Sequence, residues 1–306
     1  MKKTFLFFGL IAAVLFFQSE LGAATDKIKI VTTTSAFASI AKEIAGDKAE
    51  IYSIASPKRD IHFISPTPKD VVKLKKSEVF IHAGLDLEAW RGPLLDAVGR
   101  TELMWPSGEK QIDVSKGIPL LEIPTSISRA QGDIHLYGNP HYWMDPENAK
   151  IIAHNIAEGL ARIFPQDALT FEENAKKFDQ KIDEKLKDWT SRLLEFKGAS
   201  FVTYHRDWSY FAHRFGLIEL GELEPKPGIP PTAKHLAELV NLMKEKKSKL
   251  IFKETYQESR TPNRLAEETG ARVLPLTQAV GDPQEASDYF SMMDYNVQRI
   301  EQTRKS

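Results

Sequence analysis

The chain alternates two apolar periods. Residues 27–35, KIKIVTTTS, are β-branched and alternate apolar with polar positions, the signature of a strand. Residues 35–46, SAFASIAKEIAG, switch to helical spacing and stop on Gly46, a natural helix cap. AEIYSIASP then predicts a second strand, TPKDVVKLKKS a helix with Pro68 near its start, and EVFIHAG a third strand. Alternating strands and helices predict a parallel sheet covered by helices.

Past Asp145 the period changes. PENAKIIAHNIAEGLARIFP predicts one helix, and residues from about 168 to 196 predict a far longer one. This stretch holds no Gly or Pro until its end, and Phe171, Phe178, Ile182, Leu186, Trp189 and Leu193 share one helical face. At about 1.5 Å per residue it is roughly 40 Å long, a stiff connector. Beyond Gly198 the alternation returns. ASFVTYH, LIELGEL, KLIFKE and ARVLPL are strands, with helices between them and a closing helix in ASDYFSMMDYNVQRIEQTRK. The expected architecture is α/β, with two lobes, each a mainly parallel sheet flanked by helices, joined by one long rigid backbone helix. The expected segments are 25–165, 166–197 and 198–306 for the N-terminal lobe, the connecting helix and the C-terminal lobe. No sequence repeat is visible.

Residues 1–24 stand apart. Lys2 and Lys3 precede an apolar run from Phe5 to Phe17, and small residues follow up to Ala24. That order is a secretory signal peptide, and the run is short for a membrane span, which needs about 20 apolar residues. The chain has 306 residues, a formal charge of −1 and no cysteine. Disulfides and thiolate ligands are therefore excluded, and no cysteine follows the leader to carry a lipid. The expected location is the periplasm, without lipidation or stable membrane insertion. Near-neutral charge offers no footprint for nucleic acid.

The sequence contains no GxGxxG after a strand, no GxxxxGK, no GxSxG and no HExxH, which lowers the expectation of an enzyme. Candidate chemistry rests on the eight histidines. His62 lies in a Pro-rich loop after a strand, His141 lies just before a helix in GNPHYWMDP, and His205 ends the strand FVTYH. Each can face a cleft. His82 lies inside a strand, and His154, His213 and His235 lie within helices, where packing or surface roles are the ordinary expectation. His135 is on a loop and is open to either role. Glu254 ends KLIFKE as His205 ends FVTYH, and ligands of parallel sheets bind beyond the carboxyl ends of strands. Three imidazoles and one carboxylate suit a divalent transition ion. A surface or salt-bridging role for Glu254 is the alternative. In GNPHYWMDP, Asp145 and Pro146 fit the cap and first position of the next helix, while Tyr142 and Trp143 are expected to pack the loop.

DIHFISPTPKD, EVFIHAGLDLEAW, GNPHYWMDPENA, VTYHRDWSYFAHRFGL and DYFSMMDYN, in this order around a long helix, resemble the periplasmic metal-binding proteins of zinc and manganese ABC importers, the cluster A-I solute-binding proteins. The resemblance covers almost the whole chain after the leader. It implies two α/β lobes with the metal buried between them, and delivery of the metal to an inner-membrane ABC permease by a monomeric, non-enzymatic receptor. The family's histidine positions fall on His62, His141 and His205, a set associated with zinc, with manganese or iron as alternatives. Where many relatives carry an aspartate after the last strand, this chain has Gln278. Glu254 is the favoured fourth ligand, with Asp282 or water as alternatives. Asp60 and Asp207 are candidates to orient an imidazole, against ordinary surface or capping roles. The histidine-rich loop of some zinc-binding relatives is absent, and PTSISRAQGDIHLYG offers only His135. Imidazole must be neutral to bind, so affinity is expected to fall below about pH 6.5. The stiff helix implies a modest closing motion. A metallohydrolase would need a base beside a metal-bound water. An adhesin would need a surface anchor.

Overall fold

The structure is a computed structural model that describes residues 26–104, 108–124, 135–224 and 228–305. The expected leader, residues 1–24, lies outside these. Two four-stranded sheets, parallel throughout, carry the fold. The first contains β1 (Ile28–Thr32), β2 (Ala49–Ser53), β3 (Val79–His82) and β4 (Gln111–Asp113), in the order β2-β1-β3-β4. The second contains β5 (Ser200–Thr203), β6 (Ile218–Glu222), β7 (Leu250–Glu254) and β8 (Arg272–Leu276), in the order β6-β5-β7-β8. The two sheets thus share one strand order although the sequence shows no repeat. The central strands VFIH and LIFKE are buried at every position, as parallel strands covered on both faces must be.

Helices α1 (Ser35–Ala45), α2 (Pro68–Lys75), α3 (Arg91–Val98) and α4 (Pro146–Ile163) belong with the first sheet. Their ends follow the predicted chemistry. Gly46 caps α1 with φ of 56°, and Thr67 and Asp70 form a reciprocal capping box around Pro68. Two elements escaped the sequence reading. α3 starts RGP and carries only three buried apolar residues, so its periodicity is weak. β4 is three residues long and has its meaning only beside β3.

The long helix α5 (Ala168–Leu193) buries Phe171, Ala175, Phe178, Ile182, Trp189 and Leu193. A short 3-10 turn, Leu194–Phe196, continues it. It packs on α4, on α1 and on the closing helix α9 (Tyr289–Glu301). Asn174 Nδ2 donates to the Ile44 carbonyl at 2.9 Å, and Trp189 Nε1 donates to Asp294 at 2.7 Å, so α5 is fastened to both sheets' helices. α6 (Ser209–Phe215), α7 (Ala233–Glu245) and α8 (Arg260–Thr269) flank the second sheet. One hydrophobic cluster runs from Ile30 and Phe37 through Trp143 and Phe178 to Phe252 and Met292, and a smaller one covers the outer face of the second sheet. No helix among the described residues is long and apolar enough to cross a membrane.

Candidate metal centre

Four loops at the carboxyl ends of the strands meet. In each sheet the chain steps from one side of the first strand to the other, and that switch point opens a crevice. His62 sits in a 3-10 turn, Ile61–Phe63, capped by Asp60 and pinned by Trp90 Nε1 donating to the Ile61 carbonyl at 2.8 Å. His141 precedes another such turn, Tyr142–Met144. Asp145 then caps α4 by accepting from the Glu147 amide, with Pro146 as the first helical residue. Tyr142 and Trp143 are buried, and Trp143 Nε1 donates to the Gln278 carbonyl at 2.9 Å. The expected rigid mount for His141 is therefore present. His205 lies two residues past β5, and Asp207 follows at once, its amide donating to the His205 carbonyl at 2.8 Å.

The rings of His62, His141 and His205 converge from both lobes. Centroids are 5.1 Å apart for His62 and His141, 5.1 Å for His62 and His205, and 5.9 Å for His141 and His205. Each ring has its Nδ1 beside an acceptor. His62 Nδ1 donates to Asp60 Oδ1 at 2.8 Å, and His141 Nδ1 to Gln278 Oε1 at 2.8 Å. His205 Nδ1 lies 3.3 Å from Glu224 Oε2. With Nδ1 beside an acceptor, Nε2 is the remaining ligand atom of each ring: that of His62 faces His135, and those of His141 and His205 face Asp207. That arrangement orients imidazoles to ligate a metal.

Two sets of donor atoms lie within 4.8 Å of one another among the described residues: His62, His135 and His141, and His141, His205 and Asp207. His135 therefore joins the cluster, its Nε2 3.2 Å from that of His62. Glu254 is in neither set. It is wholly buried at the end of β7, and its Oε2 accepts the Gln278 amide at 3.1 Å while Oε1 has no partner among the described residues. Asp282, the other alternative, accepts from the Thr255 hydroxyl at 2.8 Å. The remaining histidines have ordinary roles. His82 is buried beside Gln111 and Arg91, His154 pairs with Asp179, His213 is exposed, and His235 bonds the Glu222 carbonyl.

The electrostatics follow from burial. Burial, and next the neighbouring His62 and His205, hold His141 well below the usual imidazole range and push His135 down to about 3. Burial also opposes charge on His205, but Asp207 and Glu224 outweigh it and raise the ring to about 9. Burial, then the charge of Asp207, raises Glu254 well above the carboxylate range. Sequence reasoning weighted Asp207 toward surface or capping roles. The available signal was an acidic residue two positions beyond a strand-ending histidine.

Known proteins share this fold and sequence pattern. The sequence matches the family described as zinc-uptake complex component A, periplasmic (ZnuA), over residues 30–303. The iron-binding protein YfeA of Yersinia pestis is 29% identical over 304 residues, covering 96% of this chain and 92% of YfeA. The zinc-binding lipoprotein AdcA of Streptococcus pneumoniae is 28% identical, and the match covers 99% of this chain but only 61% of AdcA. The crystal structure of ZnuA shares the fold at a TM-score of 0.77 and 24% identity, over 90% of this chain and 99% of that one. The match over residues 30–303, nearly all of the described chain, places this protein in the zinc-uptake complex component A family of periplasmic metal-binding proteins.

Proposed function

We propose that the protein captures Zn²⁺ in the cleft between its lobes and delivers it to an ABC permease in the inner membrane. The observation that carries this is the clustering of the His62, His141 and His205 rings, with centroids 5.1–5.9 Å apart and each Nδ1 beside its own acceptor. Neutral imidazole is a borderline ligand that suits zinc better than it suits manganese. The Zn²⁺ is cargo, so the site must hold it tightly yet release it at the permease. A carboxylate completing the set leaves a net charge of about +1, which keeps the ion dissociable. Export through residues 1–24 to the periplasm without lipidation, and action as a monomer, belong to the same reading. The name of YfeA supports a second one, in which the same cleft takes iron.

Elemental analysis of protein purified without chelator tests both. Zinc at one equivalent, lost in His141→Ala, is the expected outcome. Iron at one equivalent in the native protein would favour the second reading, and full zinc retention by His141→Ala would overturn the site.

A further inference from the structure

We propose that Asp207 is the anionic ligand of this site, and that Glu254 acts as a brace for the loop that carries Gln278. This rests on metal capture by the three histidines. The Asp207 side chain is 2% exposed, and neither oxygen has a hydrogen bond of full geometry among the described residues; the Gln278 side chain, which also meets His141 Nδ1, is a polar amide neighbour. A buried carboxylate that faces only the imidazoles of His141 and His205 is costly, and a cation shared with those rings would satisfy all three groups. Asp207 Oδ1 lies 3.3 Å from His141 Nε2 and 3.8 Å from His205 Nε2. His141 Nε2 also lacks a partner. A tetrahedron with metal–ligand bonds of about 2.0–2.1 Å has edges of about 3.3–3.4 Å, so the 3.3 Å separation is that of neighbouring ligands around one zinc ion, and the 3.8 Å separation needs only a small inward shift of His205.

Glu254 stands one bond further back. Its Oε2 holds the Gln278 amide, and the Gln278 side chain holds His141 Nδ1. Position 278 therefore carries an amide because its task is to accept from His141, which a neutral oxygen does without adding charge. The carboxylate has moved to the loop after β5, where the bond from the Asp207 amide to the His205 carbonyl closes a tight turn around the pair. His141 from the first lobe and His205 and Asp207 from the second have donor atoms within 4.8 Å of one another, and His62, within 4.8 Å of His141 through its own set, would complete the four. Trp208, fully buried, anchors the turn from the other side.

The test is competition for Zn²⁺ against a chromophoric chelator with native protein, Asp207→Asn, Glu254→Gln and His141→Ala. Asp207→Asn should lose more than about 100-fold in affinity and Glu254→Gln about tenfold, the lower end for a residue acting through a ligand. Native affinity in Asp207→Asn, with zinc lost in His141→Ala, would overturn the role of Asp207 and leave capture standing. Zinc retained by His141→Ala would instead remove the three-histidine site. Infrared difference spectra of native protein, with and without Zn²⁺, give a readout free of folding effects. The carboxylate band that moves on binding should follow isotope-labelled aspartate. A band that follows labelled glutamate would assign the ligand to Glu254 and overturn the proposal.

Discussion

Gln278 and Asp60 perform one task from opposite lobes: each accepts from the Nδ1 of a histidine and so aims its Nε2. Gln278→Ala and Asp60→Ala are each expected to weaken zinc binding about 10- to 100-fold while leaving the protein folded. Chelator competition with thermal melts checks this, and a change under twofold in both would show that the rings are held by packing alone. Glu219 makes a different prediction. Burial raises its carboxyl to about 8, with Glu122 and Glu222 adding to the rise and Arg206 and the Ser209 hydroxyl opposing it. Between an unfolded value near 4.5 and about 8, the folded chain holds a proton that the unfolded chain has released. Stability should therefore decline as pH rises through that window. Glu219→Gln should flatten the decline in melts taken from pH 5 to 9.

Among the elements, α4 couples the fold to the site. Asp145 caps it, and the same carboxylate pairs with Arg214 of α6 at 2.6 and 2.8 Å, so one residue starts the helix and ties it to the second lobe. Asp145→Ala should cost about 1–2 kcal/mol from the cap alone, read by denaturant unfolding, and should also weaken zinc binding by loosening His141. The cap and Pro146 were legible in the sequence because capping is local. α3 and β4 were not, since a helix opening with RGP and a three-residue strand carry little period of their own. For α5 the apolar face was legible, but its partners were not. Phe178 packs on Tyr289 and Phe290 of α9, with centroids 6.2 and 5.2 Å apart. Phe178→Ala should cost about 3–5 kcal/mol by the same measurement.

At the scale of the molecule, the lobes are not independent. The main hydrophobic cluster crosses from one sheet to the other. The segment after β8 bonds back to α1, with the Val280 amide donating to Ser35 Oγ at 3.0 Å and the Tyr289 amide to Ser39 Oγ at 2.9 Å. A shared core of this kind predicts one cooperative unfolding transition and only a small change in radius of gyration on binding Zn²⁺, measurable by scattering. Free Zn²⁺ at 100 times its Kd should add about 2.7 kcal/mol of stability by mass action. Two separate melting transitions, of which only one shifts with Zn²⁺, would contradict the shared core.

Periodicity, caps and loop position are local properties, and they were sufficient for the strand–helix alternation, the long helix and the placement of three histidines in loops or at strand ends. They could not rank the acidic residues, because Asp207, Glu224 and Glu254 all lie at or near strand ends in the sequence. Only the folded chain separates them: one carboxylate is left without a hydrogen bond of full geometry 3.3 Å from His141 Nε2, one lies beside His205 Nδ1, and one takes the Gln278 amide. The same holds for Gln278 itself, whose purpose appears only when a loop 137 residues away brings His141 to its side. Ligand geometry is set by distances between segments remote in sequence, and those distances exist only after the two sheets share a core.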